Sequence, residues 1–111
     1  MGKVFIHLED ALLRKDPNKA SFDLLTSENG CLSGCKSGIT VTNKTEFGKL
    51  GSHDDQEGFY VLEGEGYAHI GDEEFEIFPG TSFIALPHVE HGIISKSADK
   101  PVKVFWFHSA I

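Results

Sequence analysis

One imidazole and one carboxylate close together in this sequence, His53 and Glu57, are of types that suit a divalent metal ion. His53 and Glu57 lie four residues apart in Ser52-His53-Asp54-Asp55-Gln56-Glu57-Gly58. On a straight strand that spacing puts both on one face but about 13 Å apart, too far for one ion. A helix would bring them together, but Gly58 and the run Phe59-Tyr60-Val61 oppose one. A reversal at Asp54-Asp55 is the remaining solution. His53 then ends one strand, Glu57 begins the next, and both face one cavity within reach of metal bonds of about 2.0–2.2 Å. Each residue alone has an ordinary reading: a solvated turn histidine and a salt-bridging carboxylate.

Short strands must position these groups. Residues 3–8, 22–26, 38–45, 58–63, 67–70, 74–78, 82–86, 91–95 and 102–108 favour strand by β-branched or aromatic content. Residues 9–15 read as a short helix closed off by Pro17. Gly64-Glu65-Gly66, Gly71-Asp72, Pro79-Gly80 and Asp99-Lys100-Pro101 are turns. No interval holds a crossover helix, so pairing is antiparallel and the chain closes as a sandwich or barrel. A two-residue turn at Gly64-Glu65 would pair residues 58–63 with 67–70, placing Val61 opposite Ala68 and Phe59 opposite Ile70. Glu57, Phe59, Val61, Ala68 and Ile70 then share the pocket face, and His69 falls on the other with Tyr60 and Tyr67. A three-residue turn would reverse the facing of His69.

The segment Gly51-Ser-His53-Asp-Asp-Gln-Glu57, followed by Gly-Phe-Tyr-Val-Leu-Glu-Gly64, resembles the first motif of the cupin superfamily. Gly80-Thr-Ser-Phe-Ile-Ala-Leu-Pro-His-Val-Glu-His91 resembles the second. The resemblance implies an all-β, antiparallel double-stranded β-helix (a jelly-roll barrel) with a core at about residues 38–107. Residues 1–111 then form one domain, with a strand and the short helix within residues 1–20. It also implies a divalent ion (Fe, Mn, Zn or Ni) held where the two motifs meet. Both motifs depart from the family: the first motif's leading histidine falls on Gly51, the second motif's Pro and Gly appear as Leu86-Pro87-His88, shifted or replaced, and its closing Asn falls on Ser95. The usual three-His, one-Glu set is thereby reduced to His53, Glu57 and His91, the composition of a non-haem iron facial triad. His88 reads as a replacement ligand, a substrate contact or simply a solvated loop residue, and Phe59 and Val61 are pocket candidates. His7 and His108, in terminal strands, read as structural or exposed.

Composition limits the partners. Of 111 residues, 40% are apolar, and a net charge of −7 with ten Lys and Arg argues against nucleic acid. A lone arginine, Arg14, tells against a phosphate clamp. No apolar run is long enough to span a bilayer, and residues 1–8 lack the apolar core of a signal peptide, so a cytoplasmic protein is expected. The two cysteines, Cys31 and Cys35, read as ordinary reduced thiols. Residues 102–107 are apolar on both faces, which implies burial on both sides and, with the strand-like first residues, a homodimer. The expected function is a metal-dependent enzyme, of isomerase or oxygenase type, acting on a small polar molecule such as a sugar or a keto or hydroxy acid. His88 or Tyr60 would assist proton transfer. A ligand-binding or sensory module without turnover is the alternative.

Overall fold

The computed structural model describes residues 3–109. Nine strands follow in order: β1 Leu12–Asp16, β2 Lys19–Asp23, β3 Lys36–Thr42, β4 Gln56–Glu63, β5 Gly66–Ile70, β6 Glu73–Ile77, β7 Ser82–Ala85, β8 His91–Ser95 and β9 Val102–Ser109. They form a six-stranded sheet, β1-β2-β3-β9-β4-β7, and a three-stranded sheet, β6-β5-β8, with every ladder antiparallel. This is the all-β architecture that the strand-and-turn pattern predicts. Strand alternation aims Phe59, Val61, Ala68, Ile77, Val102, Val104 and Trp106 into the space between the sheets, where all are buried. The Trp106 indole N–H there donates to Thr40 Oγ1 at 2.9 Å, so its polar end is satisfied inside.

Three local expectations are corrected. The helix at residues 9–15 is absent: a single 3-10 turn, Leu8–Asp10, is followed by strand β1. Pro17 and Asn18 join β1 to β2 as a two-residue hairpin, with Asp16 opposite Lys19. The cross-strand partners of β2 thus override the weak helix propensity of this stretch. Residues 3–8 form no strand; the Asn29 side-chain amide donates to the Lys3 and Phe5 carbonyls at 2.7 and 3.4 Å instead.

The third correction matters most. β4 and β5 do not pair, because Gly64-Glu65 carries the chain from one sheet to the other. Gly64 has φ +83°, and a Cβ there would lie 2.3 Å from the Pro101 carbonyl oxygen. At Gly66 a Cβ would lie 1.8 Å from the Ile94 carbonyl oxygen. Two backbones pass the corner so closely that only glycine fits. The facing inferred from a hairpin nonetheless holds for Phe59, Val61 and Ala68, because alternation turns both strands toward the same interior.

Candidate metal centre

Glu57 sits near the start of β4, between Ala85 of β7 and His108 of β9 in the ladders. Glu57 and His108 are therefore direct neighbours on the inner face. His53 reaches them from the loop before β4, with the bends at Asp54 and Asp55 between it and the strand. This is the expected reversal, although His53 lies outside any regular strand. His91 opens β8, and its backbone pairs with Gly51 in an isolated bridge: the Gly51 N–H donates to His91 O at 3.2 Å and the His91 N–H to Gly51 O at 2.8 Å.

The three imidazoles converge on one carboxylate. Glu57 Oε1 lies 3.3 Å from His53 Nε2 and 3.3 Å from His91 Nε2, and Glu57 Oε2 lies 3.4 Å from His108 Nε2. The rings of His53 and His91 have centroids 5.2 Å apart, and those of His53 and His108 5.0 Å apart. Two ligand atoms each about 2.1 Å from one ion and roughly at right angles or tetrahedral stand about 3.0–3.5 Å apart. The measured separations fall in that range. His53, Glu57 and His108 each offer one atom within 4.8 Å of the others; His91 falls outside that group and meets it through Glu57 Oε1.

Outer contacts orient the rings. His91 Nδ1 is 3.1 Å from the Val89 carbonyl, to which only a protonated nitrogen can donate, so Nε2 faces the centre. His108 Nδ1 is 3.0 and 3.1 Å from the two carboxylate oxygens of Asp55, which leaves its Nε2 facing Glu57. A carboxylate or carbonyl behind the distal ring nitrogen is the usual support of a metal-binding histidine.

Charge follows from this geometry. Burial holds the His53 imidazole below its ordinary range, only partly offset by Glu57 and aided by the other two rings. The hydrogen bond to Glu57 raises His91, against the opposing effects of burial and the nearby Lys19 ammonium. Burial would raise Asp55, but its hydrogen bond and charge pairing with His108 outweigh that and hold it low.

His108 is the residue that sequence reasoning misplaced. It is buried and turned inward, in the same alternation as Val102, Val104 and Trp106. That period-2 signal was legible from Trp106, but aromatic residues on both faces of β9 obscured it. Of the other candidates, Phe59 lines the pocket and Val61 is wholly buried in the core. His88 is 74% exposed at φ +66°, outside the pocket lining, and its backbone N–H donates to the His53 carbonyl at 2.7 Å. It steadies the His53 loop through its backbone. Tyr60 points outward and is exposed. His69 is bound to the Gly71 carbonyl at 2.9 Å and packs edge-on to Phe47. Gly51 lines the pocket, and a Cβ there would meet nothing within 4 Å.

Residues 40–108 match the family described as the cupin domain. The chain belongs to the cupin family. No curated protein matches it in sequence. Among solved structures, this cupin is similar to hydroxypropylphosphonic acid epoxidase from S. wedmorenis, with TM-score 0.81 and 16% identity over 95% of this chain and 58% of that one. It is also similar to an RmlC-like cupin from Shewanella frigidimarina, with TM-score 0.75 and 19% identity over 96% of this chain and 90% of that one. A third is Bacillus subtilis oxalate decarboxylase, whose structure concerns Mn(II) centres, with TM-score 0.80 and 15% identity over 99% and 30%. This cupin thus spans less than two thirds of the epoxidase and about a third of the decarboxylase.

Proposed function

We propose that this cupin binds one divalent metal ion through His53, Glu57, His91 and His108, and acts as a metal-dependent enzyme on a small polar molecule. The observation that carries this reading is the convergence of three Nε2 atoms on the Glu57 carboxylate at 3.3–3.4 Å. Among the described residues, His108 from β9 brings a further imidazole to Glu57, so that with His91 the donors would be three His and one Glu although Gly51 supplies none. Imidazole with carboxylate suits Fe, Mn, Zn and Ni. Structures similar to this one include an Fe(II) form of the epoxidase HppE and the Mn(II) centres of oxalate decarboxylase.

The bound ion would supply Lewis acidity toward a carbonyl or hydroxyl group, or redox chemistry if it is iron. The protein's share is to fix the donors. Asp55 and the Val89 carbonyl set which ring nitrogen of His108 and of His91 faces inward, and Phe59 and Trp106 form the apolar floor of the pocket. His88 and Tyr60 are directed elsewhere, so neither is placed to move a proton inside the pocket.

Metal analysis of the purified protein tests this. Near one equivalent of a divalent ion is expected in the parent. His91→Ala and His108→Ala should each lower affinity more than tenfold, and His69→Ala should leave it unchanged. If His108→Ala keeps the parent's affinity, the four-donor site is wrong. A metal-free parent that resists reconstitution would leave a binding module without metal chemistry.

A further inference from the structure

The cavity over the Glu57 centre has a volume of about 390 Å³, the size of a small metabolite site, and its rim has an unusual charge. The whole chain carries 10 Lys and Arg against 17 Asp and Glu. Five of those ten cations, Arg14, Lys19, Lys36, Lys44 and Lys49, line this one cavity, where the only carboxylates are Glu46 and Glu57. The rest of the surface must then be strongly acidic. A cation cluster on an acidic protein is not the bland solvated face that net charge would produce.

The ladders show how the rim is built. Lys36 is the register partner of His108, so it stands beside the metal centre on the inner face. Lys19 is the partner of Thr42, and its ammonium is close enough to be felt at the His91 ring. Lys44 and Lys49 come from the segment joining β3 to β4 and line the same cavity. Among the described residues, none of these four lysines has an ion-pair partner within 4.0 Å, whereas Lys96 and Lys103 elsewhere do. Arg14 differs: its guanidinium is held by Asp23 at 2.8 and 3.2 Å. Its Nε and Nη2 donors are already engaged by that carboxylate, so it is less available to a bound anion than the lysines. Four unpaired point charges around a concave mouth focus field lines into it and concentrate anions there.

We infer that the substrate is a small organic acid, whose carboxylate is drawn in and held by Lys19, Lys36, Lys44 and Lys49 while its reacting end meets the Glu57 centre. This rests on the metal-site reading for the reacting end but not for the anion end. It selects the keto or hydroxy acids over neutral sugars.

Calorimetric titration of the full chain, metal-loaded and after chelator treatment, tests the inference with malonate, inorganic phosphate and glucose as probes. Malonate should bind at least tenfold more tightly than glucose, and its affinity should fall as salt rises. The variant Lys19→Gln/Lys36→Gln/Lys49→Gln should lose malonate affinity at least tenfold with its metal content unchanged. Lys100→Gln, on the far turn, should lose none. These lysines are exposed, so the variant folds as the parent does. Loss of malonate binding in the triple variant of a protein that holds no metal supports the inference and overturns the metal reading. Unchanged malonate affinity in a metal-loaded triple variant overturns the inference alone. So does glucose binding as tightly as malonate, and tighter binding of phosphate than malonate would overturn the choice of carboxylate.

Discussion

The least conspicuous residue of the centre is Asp55, which meets no ion. It accepts from His108 Nδ1 and so commits His108 Nε2 to the interior. Removing such a partner costs roughly 10–100-fold in metal affinity, because the ring loses both its orientation and part of its basicity. Asp55→Asn should therefore weaken the metal about tenfold while His108 is still present, and competition against a chelator reads the loss directly. If Asp55→Asn binds as the parent does, His108 is not a ligand supported in this way. Gly51 contrasts with this residue. Nothing lies within 4 Å of a Cβ there, and its φ is not among the positive ones, so the missing motif histidine reflects no backbone prohibition.

Strands β4 and β9 hold the centre together, since Glu57 and His108 are register partners at the end of the ladder that pairs Phe59 with Trp106 and Val61 with Val104. The corner after β4 is what allows that strand to stay in the large sheet while β5 joins the small one. Gly66→Ala would drive a methyl group into the Ile94 carbonyl, a backbone atom that cannot swing away. We expect a loss of about 2 kcal/mol or more, in the range of overpacking substitutions, whereas Gly51→Ala should change stability by less than about 0.5 kcal/mol. Urea unfolding of the two variants separates them. Equal midpoints would mean that the corner is looser than its contacts imply.

For the whole molecule, the outer face of the large sheet is the open question that the structure poses. Phe107, Tyr60, Leu62 and Ile84 are exposed there on adjacent strands, with Phe105 and Ile39 partly covered beside them. The residues at 102–107 thus do have two apolar faces, but one covers the core and the other faces outward. We propose that a second copy of the chain covers it, since a flat apolar face is readily self-complementary about a two-fold axis. Sedimentation of the parent at micromolar concentration should show a dimer, and Phe107→Glu with Ile84→Glu should shift it to monomer. A parent that sediments as a monomer removes the proposal. The companion argument from the first residues does not survive, because residues 3–8 form no strand; β1, exposed along its length, is one edge of the large sheet instead. No helix among the described residues is long and apolar enough to cross a membrane.

What the sequence determined by itself was the local grammar. β-branched runs and Gly- or Pro-bearing turns defined most of the strands, and the cupin motif spacing picked out His53, Glu57 and His91, because both signals live within a few residues. Strand alternation was enough to turn Phe59 and Val61 inward even though the hairpin used to argue it does not exist. Only the tertiary structure decided which strands pair. Gly64-Glu65-Gly66 reads equally well as a hairpin turn or as a corner between sheets, and the choice depends on Ile94 and Pro101, 28 positions from Gly66 and 37 from Gly64 in the chain. The same long-range pairing brought His108 beside Glu57, 51 positions earlier in the sequence, and gathered four lysines from three separate segments around one mouth. No local pattern contains these contacts, because they are made by ladders between strands far apart in the chain.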